Sequence, residues 1–471
     1  MSRSLYAFSA SHVQCPLIAK STKVQYCAKN NIKFLAQNGG HSWVITFNIG
    51  PGDLVINLRL LSQVTFNGDK SQVTYGGGAL ISDIVTAAYA NGVQVPTGNC
   101  NCVGTLGAIL GGGFGRLMGL YGMGVDNLLS VNLVTADGRL QKVDASNADL
   151  WWALRGAGPN FGIVTSATMN SYPVPATTNG AYTGSLVFTN DKIEALVVAL
   201  NNLVLEPPMA IFLYFANQGQ PAVVAIPFYA GGTVDQYKSA FASIYAVGPI
   251  VDTSSFVAYN HLNDGSDSFC VKGMRKPSYG AGLNQMDPKA WRAVFNEYVK
   301  FLQNPGTQMS AVLMEYYSLQ KAQTLPDSSS SYPFRHTVKF NALVIPWYSD
   351  PALDPVAEQF ASTVRDLWRS TDNVAVNSTY VSELFFYRLF PPEFSLLRSK
   401  MSSPLTLLTA TSISPLATNR SKRYTARTSP DCKKSRRNTI LQDNSTSSSL
   451  FQRVNRKRGR SGRWAGFHFF D

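Results

Sequence analysis

The chain has 471 residues, 45% of them hydrophobic and 11% aromatic, and a formal net charge of +13. That length implies two or more domains with sizeable cores, and the composition is that of a globular protein rather than a fibrous or low-complexity one. The charge is unevenly spread: from Arg420 onward there are 14 Lys or Arg against 3 Asp or Glu, so the preceding chain carries only +2 of the +13. A near-neutral body of this kind excludes a protein built throughout for nucleic acid.

No run of 18 uncharged apolar residues exists, which argues against a membrane span. Met1 to Ala10 shows no apolar signal-peptide core, so the chain as written reads as cytoplasmic. Six cysteines, at 15, 27, 100, 102, 270 and 432, are too sparse to read as a disulfide framework. Sequons at Asn377, Asn419 and Asn444 bear only on a secreted chain.

In chain order, Thr22 to Lys29 reads as a helix with Val24, Cys27 and Ala28 on one face, and Lys33 to Ala36 as a short strand. Asp53 to Leu58 and Gln72 to Tyr75 alternate like strands. Ser82 is placed as the cap of a helix carrying Ile84, Val85, Ala88 and Tyr89, ended by Gly92. Leu128 to Thr135 and Arg139 to Val143 flank Ala136-Asp137-Gly138 as a hairpin. Further on, Ala210 to Ala216, Ala222 to Tyr229, Ser310 to Tyr317 and His336 to Ile345 read as strands. Val234 to Tyr245, Pro288 to Phe301 and Pro355 to Ser370 read as helices, the second with Trp291, Val294, Phe295 and Tyr298 at helical spacing. The mixture is an α+β pattern.

Two segments carry nucleophiles beside glycine-rich turns: Gly39-Gly40-His41-Ser42-Trp43, and Gly98-Asn99-Cys100-Asn101-Cys102-Val103-Gly104. Taken singly, the His is more often a turn residue and the Cys a small buried hydrophobe. Zinc is a rival reading, but Cys100-x-Cys102 lacks the gap of common zinc knuckles. The run Val103 to Gly115, with Gly104, Gly107, Gly111, Gly112, Gly113 and Gly115, places dense glycines among Leu, Ile and Phe. Such turns let backbone N–H groups approach an anion such as a pyrophosphate. Neither Gly-x-Gly-x-x-Gly nor the P-loop pattern occurs, so a dinucleotide here is held another way.

From about Pro16 to Pro175 these residues closely resemble the FAD-binding domain of the vanillyl-alcohol-oxidase (PCMH) type, and within it the berberine-bridge-enzyme-like oxidases. Besides the two segments above, the resemblance rests on Gly76-Gly77-Gly78, Gly111-Gly112-Gly113-x-Gly115, Asp126-Asn127-Leu128, Val134 to Gly138, Asp149 to Gly156, and Asn160-Phe161-Gly162-Ile163-Val164-Thr165. It implies a two-subdomain FAD-binding domain over 1–175 and an antiparallel-sheet substrate domain with helices over 176–381. It also implies an FAD held by Gly39, Gly40, His41, Ser42, Gly98, Cys100, Val103, Gly104, Gly107, Gly111, Gly112, Gly113, Asp126, Asn127, Asn160, Gly162, Ile163 and Val164. In the family, the equivalents of His41 and Cys100 bond the flavin 8α-methyl carbon and C6. Cys102 is then a bystander, and Val103 leans toward oxygen as the electron acceptor.

The activity so implied is hydride removal from a small organic substrate by the flavin, assisted by a base, with reoxidation by molecular oxygen. An alcohol, amine or sugar is expected, with a secondary-metabolite intermediate of filamentous fungi preferred. Many relatives are secreted, which leaves the compartment open. Glu315, flanked by Tyr316 and Tyr317 on a strand, is the carboxylate candidate for the base, since burial beside aromatics would raise its pKa toward neutrality. A charge at a strand edge is the competing reading. Tyr380 is a second candidate, and His336 in Pro333-Phe334-Arg335-His336 is given no role.

The segment after Val381 departs from the family, and the expected closing tryptophan-tyrosine motif is not legible. Residues 382–471 read as a basic, Ser- and Arg-rich tail. It is read as mis-framed sequence first, as a solvated extension next, and as a nucleic-acid patch around Asn455 to Arg460 least. The opposing function, from a different class, is a flavin-binding protein without turnover because its closing segment is missing.

Overall fold

The structure, a computed structural model, describes residues 17–42, 49–217 and 219–372. Trp43, Tyr380 and the tail from 382 lie outside the described residues. All described residues belong to one compact unit.

The first half is built on a five-stranded antiparallel sheet. Its order is Val64–Phe66, Gln72–Gly76, Ile163–Asn170, Leu128–Val134, Leu140–Val143. The expected hairpin is its outer pair, with Val131 opposite Val143 and Val134 opposite Leu140 across a turn where Gly138 has φ +77°. A smaller parallel pair, Phe34–Gln37 with Leu54–Asn57, precedes it. The first helix, Leu17–Lys29, buries Val24 and Cys27, whereas Ala28 faces solvent rather than the core.

The helix Ile81–Ala90 buries Ile81, Ile84, Val85 and Ala88. Ser82 is not its cap. Leu80 occupies that position, and the Asp83 carboxylate accepts a hydrogen bond from the Leu80 amide at 2.8 Å. The Ser82 amide is engaged instead by the Asn101 carbonyl, 3.1 Å away.

The second half is a nine-stranded antiparallel sheet. At its centre Met209–Asn217 pairs with Pro221–Ala230 on one side and Ala311–Tyr317 on the other, followed by Phe340–Ile345 and Tyr279–Leu283. Helices pack on one of its faces. Pro288–Phe301 begins where the Asp287 side chain accepts from the Ala290 amide at 2.7 Å, with Pro288 in the first turn, where its missing N–H costs nothing. Its buried Trp291, Phe295 and Tyr298 cluster around Phe215 of the sheet. Asp354–Arg369 packs beside it, with Phe301 stacked on Phe360 at a centroid distance of 4.4 Å.

Two expected elements change on folding. The helix expected over Val234 to Tyr245 is two, Val234–Ala240 and Ala242–Tyr245, because Phe241 leaves the helical basin (φ −109°, ψ 20°) while its ring is buried near Tyr237. The strand expected from His336 starts at Phe340, because His336 is drawn away by Asp327 at 2.9 Å and the Gln323 carbonyl at 3.1 Å.

The two halves are joined through a buried ion pair. Both terminal nitrogens of Arg335 donate to the Asp126 carboxylate at 3.1 Å, and the side chains are 0% and 6% exposed. Arg335 also donates to the Ala322 carbonyl and to Ser330 Oγ, which offsets its desolvation. Arg335→Ala leaves a buried carboxylate unpaired and is expected to destabilise the fold by about 3–5 kcal/mol. Urea unfolding followed by tryptophan fluorescence would show this, and a loss below about 1 kcal/mol, the range of a surface pair, would contradict it.

Candidate active site

The helix Ile81–Ala90 explains how the two nucleophile-bearing loops come together. The first amides of any helix lack partners within it, and here the Ile81 and Ser82 amides take the carbonyls of Val103 and Asn101 at 3.0 and 3.1 Å. The loop bearing Cys100 is thereby fixed. Asn38 Nδ2 donates to the Ala79 carbonyl at 2.9 Å and brings the loop bearing His41 to the same place. The approach is so close that a Cβ on Gly39 would lie 2.5 Å from the Gly104 nitrogen and 2.7 Å from the Cys102 oxygen. Only glycine fits.

Three buried polar atoms on these loops find no hydrogen-bond partner among the described residues: Asn38 Oδ1, His41 Nε2 and Thr105 Oγ1. Buried polar groups are normally paired, so this cluster fits a polar ligand rather than a closed core. Burial, together with Lys272 and Lys276, lowers the His41 pKa to about 4, which keeps the imidazole neutral and nucleophilic at physiological pH. Gly107, on the short helix Thr105–Ile109, faces open space. Gly113, at φ +76°, lies so close to Gly124 that a Cβ would sit 2.7 Å from its Cα.

The other expected cofactor residues divide. Gly40, Ser42, Gly98 and Val103 lie on the two loops just described, and Gly111 and Gly112 lead on from the short helix. Gly162 precedes the strand Ile163–Asn170, where Ile163 and Val164 are buried opposite Val134 and Leu133. The Asp126 side chain is taken by Arg335 and by the Met123 amide. Asn127 is taken by the carbonyls of Tyr121 and Met123 and by the Tyr172 hydroxyl. Both therefore support the glycine-rich turns from behind. The exposed Asn160 donates to the Ala157 carbonyl at 3.1 Å.

The cysteines require a correction. Cys102 is not a bystander: it forms a disulfide with Cys270 across 168 residues of sequence. Spacing alone could not have paired them. The Cys100 sulfur lies 3.6 Å from that of Cys102 and remains a free thiol. The three sulfurs lie within 4.8 Å of one another, but the disulfide consumes two of the thiolates that zinc would need.

Glu315 lies on the sheet strand Ala311–Tyr317, half-buried. Strand alternation sends Tyr316 to the opposite face, where its hydroxyl donates to the Leu203 carbonyl. Tyr317 shares the Glu315 face and donates to its carboxylate at 2.9 Å. Asn99 Nδ2 in turn donates to the Tyr317 oxygen at 2.6 Å, and Asn99 is the neighbour of Cys100. Burial pushes the Glu315 pKa up, against the hydrogen bond from Tyr317 and the charge of Arg116. Arg116 also feels Tyr214, Tyr317 and Cys100, and its guanidinium donates to Asn263 Oδ1 at 2.6 Å. Carboxyl, phenols and guanidinium thus share one face with the thiol. Sequence reasoning missed Asn99, Arg116, Tyr317, Cys270 and Lys272, and only the position of Asn99 and Arg116 beside glycine motifs hinted at two of them.

This arrangement defines an α+β flavoprotein in which a glycine-rich cofactor half meets an antiparallel sheet. The FAD binding domain family matches residues 21–144. An FAD-linked oxidoreductase of Pyricularia oryzae, OXR1, is 35% identical over 335 residues, covering 69% of this chain and 66% of that protein. Its Aspergillus fumigatus counterpart hasG is 33% identical, covering 73% of this chain and 76% of that protein. The fold resembles xylooligosaccharide oxidase of Myceliophthora thermophila in complex with xylobiose, at TM-score 0.63 and 21% identity over 74% of this chain and 77% of that one. It also resembles berberine bridge enzyme in complex with (S)-reticuline, at TM-score 0.67 and 16% identity over 78% and 76%. The chain belongs to the family of FAD-linked oxidoreductases to which these fungal proteins belong, and its fold is that of berberine bridge enzyme and its structural relatives. Among the described residues no helix is long and apolar enough to cross a membrane.

Peptide mapping without reductant is expected to return the Cys102 and Cys270 peptides as one cross-linked species. Separate peptides, or a Cys100–Cys102 link, would contradict the described pairing. In flavin-free protein, the His41 ring signals in an NMR titration should stay those of neutral imidazole down to about pH 5, because its folded pKa lies near 4. A midpoint near the ordinary 6.5 would contradict the burial and the lysine charges described.

Proposed function

We propose that this chain is an FAD-dependent oxidase that carries its flavin on two covalent bonds, to His41 and Cys100, and removes a hydride from a small organic substrate with molecular oxygen as acceptor. The observation that carries the reading is the convergence of two loops bearing a neutral imidazole and a free thiol, linked through Asn99 and Tyr317 to the half-buried Glu315 carboxyl on the facing sheet. When bound, the flavin supplies the hydride acceptor and passes the electrons to oxygen.

The chain's own residues do the rest. The two loops would hold the flavin through His41 and Cys100, leaving the sheet side for substrate. Glu315, its pKa raised by burial, is the base that takes the proton from the substrate hydroxyl or amine as the neighbouring carbon is oxidised. Tyr317 holds the Glu315 carboxylate in place, and its own phenol, raised well above 10 by burial and by Glu315, stays protonated and donating. Arg116 offsets part of the charge that Glu315 carries when ionised. Val103, in the Cys100 loop, is the residue we assign to oxygen access. Tyr380 is kept as a second proton acceptor.

The substrate class we favour is an alcohol, amine or sugar, within fungal secondary metabolism, in line with the fungal sources of the similar proteins. We put the domain boundary near residue 175, after the strand Ile163–Asn170 of one sheet and before Gly180–Thr183 of the other. The disulfide favours an oxidising compartment over the cytosol. We assign no nucleic-acid partner.

Purified protein screened against alcohols, amines and oligosaccharides is expected to release peroxide with one class. Glu315→Gln should lower turnover about 100-fold or more, the range for loss of a general base, with flavin content unchanged. Full turnover in the variant would remove Glu315 from the mechanism, and peroxide from no candidate substrate would favour flavin binding without turnover.

A further inference from the structure

The segment from Asn263 to Lys276 belongs by sequence to the second half, yet it is bound to both nucleophile loops of the first. The Cys102–Cys270 disulfide ties it covalently to the Cys100 loop. Asp264 and Asp267 accept hydrogen bonds from Asn101 at 3.1 and 3.0 Å. The Ser266 carbonyl lies 4.0 Å from the Cys100 sulfur, and Arg116 donates to Asn263. At its far end Lys272 donates to the carbonyl of Gly39, two residues before His41. One ammonium group is thereby held at the His41 turn by a segment stapled beside Cys100.

We infer that Lys272 is a positioning residue for covalent flavin attachment: its ammonium, fixed at the Gly39 carbonyl by a segment stapled beside Cys100, holds the His41 turn and sets a positive charge beside both nucleophiles. The inference rests on the two-bond reading above and extends it to a residue outside both motifs. Each attachment replaces one hydrogen. The flavin loses a hydrogen from the 8α-methyl carbon or from C6, the imidazole or thiol loses its proton, and one C–N or C–S bond forms. The two electrons released reduce molecular oxygen, which takes up the two protons as hydrogen peroxide.

The charge of Lys272 acts in the required direction at both ends, although burial leaves the Cys100 thiol raised overall. Lys272 acts with burial and Lys276 to lower the His41 pKa. At Cys100, burial and Asp267 push the thiol pKa up, while Lys272 and Arg116 pull it down. Lys272 also faces Arg59, which lies 3.4 Å from Asp83 and is partly compensated by it. Among the described residues Lys272 is the cation that acts on both nucleophiles, and burial, opposed by the Cys100 charge, lowers its own pKa.

The test is the rate and pH dependence of attachment when flavin-free protein is mixed with FAD in air, read as flavin retained on acid-precipitated chain and assigned to His41 or Cys100 by peptide mass. In the wild type, attachment at His41 should persist toward pH 4. In Lys272→Gln, the Cys100 bond should form about tenfold more slowly at neutral pH, and the limbs of both attachments should move to higher pH by about one unit, the effect of removing a nearby charge. FAD binding by the unattached variant, read by quenching of flavin fluorescence, should persist, and Lys272→Arg should restore the rate. Unchanged rates and limbs in Lys272→Gln, or no restoration by Lys272→Arg, would overturn the role. If Lys272→Gln does not fold, the wild-type limb decides: a His41 limb near pH 6.5 overturns the inference. Wild type that binds FAD and forms neither bond would overturn it together with the two-bond reading, whereas wild type that forms both beside an unaffected variant would overturn it alone.

Discussion

The close approach of two loops, permitted by the missing side chain of Gly39, is the constraint on which the site depends. With any larger residue, Gly39 would collide with the backbone at Gly104 and Cys102. His41 and Cys100 would then separate, and the carbonyls that satisfy the first amides of the helix Ile81–Ala90 would lose their places. The same contact explains why polar atoms of Asn38, His41 and Thr105 are buried without partners. Such atoms are costly to bury unless a ligand completes them.

The second half of the chain is tied to the first at two places. Through the disulfide, the Asn101 contacts and Lys272, a segment of that half is fastened to the cofactor loops, and through Arg335 and Asp126 the two halves share a buried ion pair. Charge follows the same division. Cations at Lys272, Lys276 and Arg116 surround the nucleophiles, while the carboxyl of Glu315 is set back on the sheet behind Tyr317 and Asn99. An acid and a thiol are thus held in one site, with the charge of Arg116 acting on both.

Motifs with local meaning were legible in the sequence. The glycine turns, the hairpin across Gly138 and the helix Pro288–Phe301 with its apolar stripe all follow from turn chemistry and periodicity. What was not legible depends on distant pairing. Cys102 and Cys270 are 168 residues apart and neither belongs to a recognisable cysteine pattern. The buried pairing of Asp126 with Arg335 also spans 209 residues. The break at Phe241 and the late start of the strand at Phe340 likewise come from tertiary contacts that override local propensity.

The central claim is that His41 and Cys100 form one attachment site. The most direct test is a peptide map of the acid-denatured, purified protein, followed at flavin absorbance. The account predicts a single yellow species in which the His41 and Cys100 peptides are joined through one flavin. Flavin released entirely into the supernatant, or bound to a peptide containing neither residue, would contradict it.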